Sequence, residues 1–93
     1  MKIPKTVKIG GHTVVVSSRA HMARDDNRLG ESCGTGNYIN IDTSAPESTM
    51  ASTFLHEIIE QLNWQLELNL EHCKISQLEA GLYQVLHDNK LQF

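Results

Sequence analysis

No stretch of this sequence stays apolar for the ~20 residues that a bilayer-spanning helix needs. Lysine and arginine are scattered, with no basic block, and the net charge is -3. Neither membrane insertion nor nucleic-acid binding is therefore expected. The N-terminus, MKIPKTVKIGG, lacks the continuous apolar segment of a secretory signal, which points to an intracellular, cytoplasmic chain. Cysteine is scarce: Cys33 and Cys73 are the only two. In a reducing compartment they read as free thiols or metal ligands. No C-x2-4-C knuckle is present to seed a closed structural zinc site, although His56, His72, Cys33 and Cys73 together would supply four ligands. Repeats, linkers and low-complexity segments are missing too. What remains is one small domain, 1–93. It can bury only a modest core, so metal binding or self-association would bear on its stability.

The first half of the chain has strand character. In TVKIGGHTVVV two β-rich runs flank Gly10-Gly11, a two-residue hairpin signal. Residues 19–27, RAHMARDDN, are polar and turn-rich and read as a loop. RLGESC and NYINID then form a second strand pair around Gly34-Thr35-Gly36. The second half is helical. Ser44-Ala-Pro-Glu47 has the form of a capping box, and a helix is predicted from about 45 to 68, with Leu55, Ile59, Leu62 and Leu66 on one stripe. Asn69 marks a break. A second helix is predicted over about 72 to 88, with Ile75, Leu78, Leu82, Val85 and Leu86 facing inward. The fold class is α+β: a small antiparallel or mixed sheet followed by two helices.

The first helix carries TFLHEIIEQLNW, which begins like the H-E-x-x-H of metallopeptidases but has Glu60 in place of the second histidine. At about 100° per residue, His56 and Glu60 lie together, roughly 110° round from the apolar stripe, so they border the buried face. Glu57 stands about 100° further round from His56, beside any metal rather than on it. Two readings of the His56/Glu60 pair stand. As an i, i+4 pair it supports a helix by a few tenths of a kcal/mol. As a metal site it offers one imidazole and one carboxylate, and a catalytic zinc needs a third protein ligand. His72, just past the helix break, is one candidate; Glu79, seven residues on and on nearly the same face, is another and would approach more easily in an antiparallel helix hairpin. Tyr83 follows on that face, either as an oxyanion donor or as a core or rim tyrosine. His12, His21 and His87 are given no site role, and a buried free thiol is the simpler reading of each cysteine.

The G-x-Y-I-N-I-D strand of Gly36 to Asp42, the T-F-L-H-E-I-I helix and the closing G-L-Y-Q-V-L-H-D-N resemble the zincin-type metallopeptidase domains of small phage and prophage proteins, of the minimal gluzincin kind. The resemblance implies a sheet whose last strand, Tyr38 to Asp42, borders a cleft and holds an extended peptide or protein substrate. It implies an active-site helix bearing the motif and a second helix supplying a ligand glutamate. Here Glu60 replaces the second histidine and His72 stands near the place of that glutamate, so the two ligand types have exchanged positions. The implied cofactor is zinc, held by His56, Glu60 and His72. The implied activity is peptide-bond hydrolysis, in which zinc polarises the carbonyl and acidifies its water while Glu57 takes the proton as general base. The rival reading is an inactive descendant, a binding or structural protein of zincin fold that keeps the metal. The departure at Glu60 favours the rival, and the presence of Glu57 favours the enzyme.

Overall fold

The computed structural model describes residues 2–22 and 28–91, so only the 19–22 part of the expected loop lies among the described residues. Four strands, β1 (Thr6–Ile9), β2 (His12–Ser18), β3 (Gly30–Cys33) and β4 (Tyr38–Ile41), are followed by α1 (Glu47–Leu66) and α2 (His72–Asp88). The order in the sheet is β1-β2-β4-β3. This is the α+β arrangement the sequence implied. No helix among the described residues is long and apolar enough to cross a membrane.

Gly10 and Gly11 have φ of 57° and 84°, and Ile9 pairs with His12 across them. A two-residue turn with both centres at positive φ matches the twist of the flanking strands and is cheap only for glycine or asparagine-like residues. The strands alternate as a half-buried sheet should. Val14, Ile39 and Ile41 point inward onto Ile9 and Phe54, while Val15 and Tyr38 point out.

The sheet is mixed. β4 pairs with β2 in parallel, Val15 against Tyr38 through Ser18 against Ile41, and with β3 antiparallel. That overturns the expectation that the last strand offers an open edge: both edges of β4 are taken. β3 is the outer strand on that side of the sheet.

Helix α1 begins at Glu47, with Pro46 at the N-cap and no side-chain cap, so the expected capping box does not form. The reason lies in Asp42, which is buried. Ser44 donates both its N–H (2.9 Å) and its hydroxyl (2.5 Å) to Asp42 Oδ1, and the His21 N–H donates to the same oxygen (3.1 Å). A desolvated carboxylate gains more from such donors than an exposed helix end gains from a serine. The helix ends two residues earlier than expected, where Glu67 turns into the left-handed region and Leu68 N–H donates to Asn63 O.

One face of α1, through Met50, Phe54, Ile58 and Leu62, packs on the sheet. A second, through Leu55 and Ile59, packs on Ile75, Leu70, Tyr83 and Leu86 of the C-terminal segment. Helix α2 matches its predicted span, but its orientation does not match. Leu78, Leu82 and Val85, expected inward, are exposed, and so is Leu66. The face of α2 turned to α1 centres on His72, Ile75, Glu79, Tyr83 and Leu86, roughly 80° round from the most apolar stripe.

Candidate metal centre

His56 lies in the middle of α1, about 15 Å from the helix end at ~1.5 Å per residue. A tight antiparallel return would set the middle of α2 beside it, not His72. The connection is built otherwise. Glu67 and Asn69 both adopt positive φ, 51° and 58°, and the chain doubles back along α1. Asn63 clasps it: Leu70 N–H donates to Asn63 Oδ1 (2.9 Å) and Asn63 Nδ2 donates to Leu70 O (3.2 Å). Leu70 packs on Leu55 and Ile59, and α2 starts beside the centre of α1.

The result is a convergence. One ligand atom from each of His56, Glu60 and His72 lies within 4.8 Å of the other two. Among the described residues this is the group of histidine, cysteine and carboxylate side chains close enough to hold a metal ion. A tetrahedral ion with bonds of about 2.0–2.2 Å sets its ligand atoms about 3.3 Å apart, so small side-chain rotations close the set. Two imidazoles and one carboxylate are a suitable donor set for a divalent ion of the zinc type and leave one position open. The residues therefore fit the metal.

Glu79, the other candidate, is placed differently. Its Oε1 is 3.0 Å from His56 Nδ1, and it is not one of the three residues of the triad. The rings of His56 and His72 meet edge-on, centroids 5.0 Å apart.

A cleft of about 310 Å³ opens at this place. Thr53, His56 and Glu57 of α1 form its floor, Arg28, Leu29 and Gly30 its strand side, and His72, Ser76 and Glu79 its α2 side. Gly30 has a steric reason. A Cβ there would lie 2.7 Å from Thr53 Cγ2 and 3.1 Å from Glu57 Oε2. Glycine lets the strand approach the helix and gives the Glu57 carboxyl its room. Glu57 is 6% exposed. Burial first, then the charges of Glu60, Glu31 and Glu79, push its pKa up to about 8, against a smaller opposing effect of Arg28. A nearby divalent cation would act in the opposite direction and favour the carboxylate.

Further residues hold the site that the sequence did not single out. Gln61 is fully buried, and its Nε2 donates to Cys33 O (3.0 Å) and Tyr38 O (3.3 Å), tying α1 to the β3–β4 turn. Arg28 pairs with Glu31 at the cleft mouth (3.3 Å). Only Gly30 had a sequence signal, a glycine within a strand pattern; nothing distinguishes Gln61 or Asn63 from any polar residue of a helix.

Cys33 and Cys73 are free, and neither joins the triad, so no four-ligand cysteine site forms. Cys33 is half-buried and Cys73 exposed, so neither is a buried core thiol. The Thr35 hydroxyl and the Gly36 N–H, which donates to Cys33 Sγ (3.3 Å), hold that thiol below its usual pKa. Tyr83 packs on the Leu55/Ile59/Ile75 cluster and stacks on His87, centroids 5.4 Å apart, and does not line the cleft.

Comparison of the chain with models of protein families, with curated proteins and with solved structures found no match.

Proposed function

We propose that this chain is a zinc-dependent peptidase of the zincin type. One observation carries the reading: His56, Glu60 and His72 bring ligand atoms within 4.8 Å of one another, and His56 and His72 line a cleft together with the buried Glu57. The three residues would hold zinc, which when bound supplies Lewis acidity toward a carbonyl and lowers the pKa of water. The chain's own groups do the rest. Glu57, next along the helix from His56 and held against Gly30, takes the proton of the attacking water and returns it to the leaving nitrogen. The peptide lies along β3, not β4. The Asp42 N–H donates to Leu29 O, so Leu29 and Asp42 are a hydrogen-bonded pair, and alternation leaves the N–H and C=O of Gly30 and Ser32 pointing off the outer edge. Those groups bind an extended backbone by strand addition.

The second reading, a metal-holding domain without activity, is favoured by the burial of Glu57, which limits its access to water. Peptide hydrolysis separates the two. Zinc-loaded protein is incubated with a pool of unstructured peptides and the products are identified by mass spectrometry. The peptidase reading expects cleavage that is lost in Glu57→Gln while bound zinc is kept. Zinc bound in both proteins with cleavage in neither supports the inactive domain.

A further inference from the structure

A neutral imidazole has one N–H and one lone pair, so it can serve a metal through only one nitrogen at a time. The hydrogen bond made by the other nitrogen decides which. In His56 the contact is at Nδ1, 3.0 Å from Glu79 Oε1. A carboxylate only accepts. Nδ1 therefore carries the hydrogen, and the lone pair is left on Nε2. Glu79 and His72 are seven residues apart on α2, about 20° from the same face. The helix that brings one imidazole to the centre thus brings the acceptor that orients the other.

We infer that Glu79 is a positioning residue: it holds His56 in the Nδ1–H tautomer and directs Nε2 to the ion shared with Glu60 and His72. The consequence for the ion rests on the metal-centre reading above; the tautomer itself does not. The assignment also divides two roles that the sequence left open between His72 and Glu79. As a ligand, Glu79 would leave the His56 Nδ1–H without its acceptor. As an acceptor, it places negative charge behind His56 without filling the open coordination position, and it makes His56 a stronger donor.

The test combines two measurements on the full chain. Long-range proton–nitrogen NMR reads the His56 tautomer in metal-free protein at a pH where the ring is neutral. Competition with a chromophoric chelator reads zinc affinity. The native protein should show the Nδ1–H form. Glu79→Gln, whose amide oxygen still accepts, should keep that form and most of the affinity. Glu79→Ala should shift the ring toward Nε2–H and lower zinc affinity by about 10–100-fold, while His72→Ala, which removes a ligand, should cost much more. An Nε2–H ring in the native protein overturns the inference, as does Glu79→Ala with unchanged tautomer and affinity. So does abolished binding in Glu79→Gln alongside near-native binding in His72→Ala, which would make Glu79 the ligand. If the native protein binds no zinc, the metal reading fails, and the metal-free spectra still decide whether Glu79 sets the tautomer.

Discussion

Asn63 holds Leu70 by two hydrogen bonds, one to its N–H and one from the side-chain amide to its carbonyl. This clasp turns the segment between the helices back along α1 and seats His72 opposite His56 and Glu60 instead of past the helix end. A local contact thereby helps to place a histidine that is distant along the chain from its two partners.

Asn63→Ala should accordingly lower both stability and metal affinity. Removing the side chain leaves a part-buried N–H and C=O without their partner, which costs about 1–3 kcal/mol. Denaturant unfolding measures the first effect. Zinc affinity measured well below the unfolding midpoint isolates the second, and a stability loss with unchanged zinc binding would show that His72 is seated by something else.

Gly30→Ala tests the approach of strand to helix. The added methyl meets Thr53 Cγ2 at 2.7 Å and Glu57 Oε2 at 3.1 Å, so the strand or the carboxyl must move. Overpacking of this kind costs about 1–3 kcal/mol. Hydrolysis should fall further than zinc affinity, because Glu57 is displaced and the ligands are not. Kinetics and chelator competition on the same preparation provide the comparison.

The buried Glu57 carboxyl makes a pH prediction for the metal-free protein. Its folded pKa is raised from 4.5 to about 8, so the folded state holds the proton more tightly than the unfolded state. Below about pH 4.5 both states are protonated, and the favourable contribution is fully present. It is lost as pH rises from there through about 8, by a few kcal/mol at most. Glu57→Gln, which cannot ionise, should flatten that slope and leave the metal-free variant more stable than the native protein at pH 8. Saturating zinc should flatten the native slope too. Urea unfolding between pH 5 and 9 measures all three; a native stability that does not fall over this range would show that the carboxyl is already ionised in the fold.

The legible parts of this chain were those governed by local chemistry. Gly10-Gly11 demanded a hairpin because two adjacent positive-φ positions suit glycine. The span of α2 followed from Asn69 and the apolar spacing after it. His56 and Glu60 could be placed together at the border of the apolar stripe of α1, with Glu57 about 100° further round, from the helical period alone. What failed depended on tertiary competition. Ser44 was assigned to a helix end, and the buried Asp42 claims it. The orientation of α2 was read from its leucines, and the contacts of His72, Ile75 and Glu79 turn it another way. The interior position of β4 came from a parallel pairing with β2 that no local pattern announces.

Zinc stoichiometry is the most direct test of the central claim, that His56, Glu60 and His72 together hold a metal ion. The protein is purified without added metal or chelator and weighed intact by native mass spectrometry, alongside His56→Ala, Glu60→Ala and His72→Ala. The account predicts about one zinc per native chain, and loss of it in each of the three variants under the same dilution. A native chain without zinc, which also takes up none when zinc is supplied, would contradict it. So would a His72→Ala variant that keeps the ion as firmly as the native protein.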